Sequence, residues 1–213
     1  MAVLPMFPLG TVLVPSAVLP LHVFEPRYRQ LVADCLAGVP ELGVVLIERG
    51  SEVGGGEVRT DVGTVARIVG AQELPDGRWM LTTVGTRRFR VRAWLPDDPY
   101  PLADVDEWPD PPPGPDHAQL LDAAVSLLRR TLALAAEAGL ETAPATVEVA
   151  VEDPEVATHQ VVALAPVGPL DRHRLLCAPD PDERLRRLLP MLEDVAAVLS
   201  ARLADPGDPG DRR

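Results

Sequence analysis

The run Phe24-Glu25-Pro26-Arg27-Tyr28 places an aromatic ring, a carboxylate, a guanidinium and a phenol side by side. Such a set can rim a recognition groove, the rings supplying apolar contact and the charges supplying directed hydrogen bonds. The same residues also suit a helix start. Glu25 complements the positive end of a helix dipole, Pro26 presets the first turn, and Tyr28 packs inward. A second concentration is Arg78–Arg92, where Arg78, Arg87, Arg88, Arg90 and Arg92 occur with no acid among them. It reads either as a site for an acidic peptide, a C-terminal carboxylate or RNA phosphate, or as the charged solvent face of a strand balanced by carboxylates nearby. The candidate recognition residues are therefore Phe24, Glu25, Arg27, Tyr28, Arg78, Arg88 and Arg90.

Other chemistry is sparse. His22, His117, His159 and His173 show no HxxxH or HExxH spacing, and Cys35 and Cys177 stand far apart, so neither a metal site nor a disulfide framework is expected. None of Ser16, Ser51, Ser126 and Ser200 sits in GxSxG. The chain contains no lysine, which excludes a Walker A loop, a Ser–Lys dyad and Schiff-base chemistry. Gly50–Gly56 could cradle an anion through backbone amides, but without that lysine it reads as a flexible hairpin connection. The expectation is no catalytic residue, no metal and no cofactor.

The 213 residues carry a net charge of −12 and are 46% hydrophobic, an ordinary globular composition. Acids outnumber arginines in both halves, which argues against a general nucleic-acid or anionic-membrane footprint. Residues 1–24 carry no charged side chain but lack the basic start of a signal peptide. Pro5, Pro8, Pro15 and Pro20 would break a spanning helix. With two isolated thiols, the expected setting is a reducing cytoplasm.

These residues must be held by short elements. Val3–Phe7, Thr11–Val14 and Leu19–Phe24 read as strands between Pro and Gly turns. A helix opens at Pro26, with Tyr28, Leu31, Val32, Cys35 and Leu36 at helical spacing, and stops at Gly38 and Pro40. Further strands are expected over Leu42–Glu48, Val62–Ala71, Arg78–Val84, Arg87–Leu95 and Leu102–Trp108, with a loop over Gly50–Arg59, a turn at Pro75-Asp76-Gly77 and a break at Gly85-Thr86. From Arg88 to Trp94 the pattern alternates, with Phe89, Val91 and Ala93 on one face and Arg88, Arg90 and Arg92 on the other. After Pro109–Pro115, a stiff Pro-rich linker, the period turns helical. Helices are expected near 116–138, 154–165, 170–177 and 181–203, the second and last opened by Asp153-Pro154 and Asp180-Pro181, with a kink at Pro190. The division reads as a barrel subdomain over 1–108, a linker over 109–115, a helical subdomain over 116–204 and a disordered tail over 205–213.

The stretches Leu4–Gly10, Pro20–Tyr28, Val62–Ile68, Asp76–Arg78 and Gly85–Val91, followed by Leu175-Leu176 and Asp182–Leu185, taken in order, resemble the N-terminal domain of Lon proteases. The resemblance implies an α+β fold, with a PUA-like β-barrel containing one early helix, followed by a helical bundle. It implies a non-catalytic module that recognises unfolded or degron-bearing polypeptide segments. It also implies a standalone form without the ATPase and peptidase parts of the full protease, acting as an adaptor for a cytosolic protease. Two other readings stand beside it. One is a PUA-like nucleic-acid binder using Arg78–Arg92. The other is a small-ligand receptor or enzyme with a cleft between the subdomains. A monomer or homodimer is expected.

Overall fold

The structure, a computed structural model, describes residues 2–49 and 58–204. Most of the expected Gly50–Arg59 loop, and the expected tail over 205–213, lie outside the described residues. The chain divides into two compact units, one of residues 1–110 with 172–177 and one of residues 111–171 with 178–213.

The first unit holds β1 (Ala2–Leu9), β2 (Val18–Val23), α1 (Pro26–Ala37), β3 (Glu41–Arg49), β4 (Val58–Glu73), β5 (Trp79–Leu95) and β6 (Leu102–Glu107). The sheet order is β2-β5-β4-β3-β1-β6, and β6 also pairs with β5. That extra pairing closes β5, β4, β3, β1 and β6 into a ring. The first part of β5 carries β2 and the second part carries β6. The expected α+β class, a barrel with one early helix followed by helices, is the one observed.

Neighbouring residues of β1 and β3 feed two cores. Phe7, Leu9, Leu42 and Val44 join Tyr28, Leu31, Val32 and Cys35 of α1. Leu4, Met6 and Val45 join Val65, Phe89 and Val105. Residues 41–46 of β3 are all buried, as a strand covered on both faces must be. α1 forms as expected, with Pro26 in its first turn.

Three expectations are corrected. Thr11–Val14 is not a strand. It is an irregular buried segment whose Leu13 carbonyl accepts from Thr64 Oγ1 at 2.7 Å instead of from a ladder partner. Gly85-Thr86 does not break the chain, because β5 runs on through it. Thr86 is a bulged residue, since Val65 pairs with Arg87 and Ala66 with Gly85. At Gly85 the Val14 carbonyl lies where a Cβ would stand, 2.3 Å away, so the irregular segment crosses β5 at a position open only to glycine. The strict alternation after Arg88 also fails. A further bulge at Arg92 breaks the two-residue period, and Ala93 is exposed while Arg88 is buried. The Pro75-Asp76-Gly77 turn is observed, closed by Gly77 N–H donating to the Leu74 carbonyl at 2.8 Å. Gly77 has φ +78°, a conformation that favours glycine.

The second unit contains α2 (His117–Glu137), α3 (Pro154–Leu164) and α5 (Pro181–Ala204), and α4 (Pro169–Leu176) runs from it into the first unit. Leu121, Val125, Leu128 and Leu132 of α2 and Leu185, Leu188 and Leu192 of α5 are buried along helical stripes. Asp153 Oδ1 accepts from Val156 N–H at 3.2 Å and Asp180 Oδ1 from Glu183 N–H at 2.7 Å, the caps that the sequence signals. His117 Nδ1 meets Asp182 Oδ1 at 2.7 Å.

Charge pairs tie the first unit together. Arg88, whose side chain is 2% exposed, is paired with Asp110, which is 3% exposed. Arg88 Nη1 also donates to the Leu176 carbonyl at 2.6 Å. Glu41 accepts from Arg67 at 3.0 Å and from Arg87 at 2.8 Å, and Arg87 reaches Glu107 at 2.7 Å, so the chain of charges links β3, β4, β5 and β6. The Arg87 hydrogen bond, opposed by desolvation and aided by Arg67, holds the Glu41 carboxyl below its ordinary value of 4.5.

Two predictions follow from these pairs. Arg88→Met leaves the Asp110 carboxylate buried without its partner, and should cost about 3–5 kcal/mol in urea unfolding. Adding Asp110→Leu should recover most of that loss, whereas a double variant as unstable as the single would show that the pair is not the cause. For Glu41 the folded state has the lower pKa, so its stabilisation is present above the unfolded carboxylate pKa and is lost as pH falls through the folded one. Glu41→Gln should therefore cost about 1–3 kcal/mol at neutral pH and reduce the acid-induced fall in urea midpoint below about pH 4.3.

Candidate functional site

Strand β1 changes neighbours halfway. Its first residues, Ala2–Pro5, pair with β6, and its last, Met6–Leu9, pair with β3. Each half therefore has a strand on one side only. Met6 N–H donates to the Pro101 carbonyl at 2.8 Å, so the amide positions of even-numbered residues face the β6 side. Amide direction alternates along a strand, so the hydrogen-less nitrogen of Pro8 faces that open side and that of Pro5 faces the opposite one. Prolines are tolerated where no ladder bond is required.

Among the described residues strand β2 pairs with β5 alone. Gly85 N–H donates to the Ala17 carbonyl at 2.9 Å and Thr83 Oγ1 to the Leu19 carbonyl at 2.8 Å, so odd-numbered peptide groups here face β5. Those of Val18, Pro20 and His22 face away. This outer edge offers the His22 amide and a row of carbonyls to an added strand.

A groove of about 160 Å³ lies along that edge. Pro20, His22 and Phe24 form one wall, Phe7 and Leu9 of β1 the other, and Tyr28 of α1 lines it between them. Tyr28 stacks on Phe7 at 4.3 Å between ring centroids and carries the Arg27 guanidinium over its ring at 4.5 Å. Arg27 Nε donates to Glu25 Oε2 at 3.2 Å. Phe24 is 50% exposed, and Met80, which pairs with His22, is also exposed. The volume matches one apolar side chain, since a cavity of roughly 150 Å³ accepts a benzene-sized group.

The structure brings Phe24, Glu25, Arg27 and Tyr28 to this groove or its rim. Arg78 stands at the same end of the β2–β5 ladder, after which Val23 pairs with Trp79, but it is paired with Asp76 at 2.7 Å. Arg88 is buried against Asp110, and Arg90 lies over the Trp108 ring at 3.5 Å, both in the distal part of β5. Arg92 meets Asp106 at 3.5 Å. Four of the five arginines of the Arg78–Arg92 stretch are thus paired with carboxylates, and Arg90 remains exposed against the Trp108 ring. Among the described residues no group of His, Cys, Asp and Glu is placed to hold a metal ion, and no helix is long and apolar enough to cross a membrane.

Sequence reasoning missed the groove's far wall. Phe7 reads there as a strand residue and Leu9 as part of the turn that follows it, and both line the groove with β2. The free edge had one signal, Pro20 within an otherwise regular strand.

The described strands thus form a closed ring that carries β2 at its side, with an apolar groove next to β2. Residues 3–194 match the model of the ATP-dependent protease La (LON) substrate-binding domain, and the chain belongs to that family. A Lon N-terminal domain protein from Xanthomonas campestris is 30% identical in a solved structure, with a TM-score of 0.66 over 89% of this chain and 98% of that one. The N-terminal domain of a Mycobacterium avium complex Lon protease, 17% identical, shares the fold with a TM-score of 0.64 over 92% of this chain and 98% of its own. The Lon protease of Roseiflexus castenholzii is 28% identical over 205 residues, which are 93% of this chain and 25% of that protein. The chain thus spans about a quarter of that relative's length.

Proposed function

We propose that the chain captures extended, unfolded or degron-like polypeptide segments along the outer edge of β2, and presents them to a cytoplasmic protease as an adaptor. The observation that carries this reading is the edge of β2, unpaired among the described residues, facing a groove sized for one side chain. A bound segment runs beside β2, donates to the outward carbonyls of Val18, Pro20 and His22, accepts from the His22 amide, and sets one apolar residue between Phe24, Phe7 and Leu9. Backbone hydrogen bonding makes such capture tolerant of sequence, which suits clients recognised by being unfolded. The prolines at positions 8 and 20 remove donors from the facing edges, which discourages pairing between copies of the chain. The family's substrate-binding description supports the reading, and the binding does not call for chemistry on the client. The paired arginines of β5 weigh against the nucleic-acid alternative.

Fluorescence anisotropy of a labelled, unfolded peptide with alternating apolar residues tests this, with a folded protein of similar charge as control. Phe24→Asp should weaken binding about tenfold by removing apolar contact at an exposed position. His22→Pro, which removes the outward amide together with the imidazole, should weaken it about fivefold relative to His22→Ala, which removes the imidazole alone. Unchanged affinity in Phe24→Asp, together with equal affinity in His22→Pro and His22→Ala, would refute this use of β2.

A further inference from the structure

The second opening beside β1 has a different chemistry. It is a cavity of about 400 Å³ at the side of Ala2–Pro5 that lacks a strand, closed by the end of α1, the start of β3 and Tyr100. That volume lies within the range of small-ligand sites, roughly 300–1,000 Å³. Val3 and Val39, 57% and 70% exposed, give it an apolar mouth.

Its polar groups are mostly acceptors. The peptide group of Val3 faces this side by the alternation already described, whereas the Pro5 carbonyl belongs to the β1–β3 ladder, where Met6 registers with Gly43. Asp34 takes a hydrogen bond from the Tyr100 hydroxyl at 2.8 Å and from Gln30 Nε2 at 2.8 Å, both neutral. Among the described residues no cation is paired with Asp34. Among the described residues the charged side chains lining the cavity are the carboxylates Asp34 and Glu41 and the guanidinium of Arg87, which is already engaged by Glu41 and Glu107.

Cys35, Glu41, Arg87 and Tyr100, all with shifted pKa values, line this cavity, and such groups concentrate at functional clefts. Tyr100 is pushed up to about 12 by desolvation and by Asp34. Burial, with Asp34 adding to it, raises the Cys35 thiol to about 11. Both stay protonated at neutral pH and add no charge to the cavity.

We infer that this cavity is a binding site for an aliphatic cation, an ammonium or guanidinium on an apolar stem, held by Asp34 and the Val3 carbonyl with its stem between Val3 and Val39. A lysine or arginine side chain of a polypeptide and a free alkylamine share that chemistry. The site stands apart from the β2 groove and does not depend on the function proposed for it.

Amide NMR spectra of the full chain, titrated with n-butylammonium chloride, test the inference. The amides of Val3, Val39 and Tyr100 should shift saturably, and n-butanol and butyrate should not shift them. Asp34→Asn keeps an acceptor for Tyr100 and should weaken binding about fivefold or more. Val39→Arg, at an exposed position, should block it with a tethered guanidinium. The tripeptide acetyl-Val-Lys-Val-amide binding at least about tenfold tighter than butylammonium would assign the source to a polypeptide, and equal affinity would assign it to a free amine. Shifts by butanol equal to those by butylammonium, no shift up to about 50 mM, or full affinity in Asp34→Asn would overturn the inference. Phe24→Asp, at the other opening, should leave this titration unchanged.

Discussion

A strand inside a closed ring must satisfy its backbone groups on both sides, and β1 does so only half at a time. Its first residues use β6 and its last use β3. The long β5 strand makes this possible, because it holds β4 along most of its length while handing its free side from β2 to β6. Two openings follow directly from this change of partners. One faces the spare strand β2 and is apolar, and the other faces the end of α1 and is rich in acceptors. The prolines of β1 sit where these openings leave no ladder bond to make, so local sequence and ring topology agree.

Charge plays the complementary part. With no lysine in the chain, every side-chain cation other than histidine is an arginine, whose planar fork can bridge two acceptors. Arg87 bridges Glu41 and Glu107, and Arg88 bridges Asp110 and a main-chain carbonyl. A basic-looking stretch thereby becomes internal bracing. The acidic excess of the chain is left to the rest of the surface.

Local signals were the legible ones. Pro26 opened α1, Asp153 and Asp180 capped their helices, and Pro75-Asp76-Gly77 turned the chain, each through bonds within a few residues. The features that misled depend on distant partners. Nothing near Arg88 shows that Asp110 and Leu176 will bury it, and the bulges at Thr86 and Arg92 arise from register against β4 and β6. The same holds for the candidate site. Phe24, Glu25, Arg27 and Tyr28 are adjacent in sequence and could be seen together. Phe7, Leu9 and the cavity residues Asp34, Glu41, Arg87 and Tyr100 are brought to their places by ring closure alone. Order along the chain made the family recognisable where individual motifs were short, and the match over residues 3–194 rests on that order.

The central claim is that β2 keeps an open edge which a client strand completes. Amide hydrogen exchange resolved to single residues reads this directly. In the free protein the amides of Leu19, Leu21 and Val23, which face β5, should exchange slowly, and that of His22 should exchange fast. With a saturating unfolded peptide the His22 amide should become protected while the β5-facing amides stay as they were. A His22 amide already protected in the free chain, or one whose exchange is untouched by bound peptide, would contradict the account.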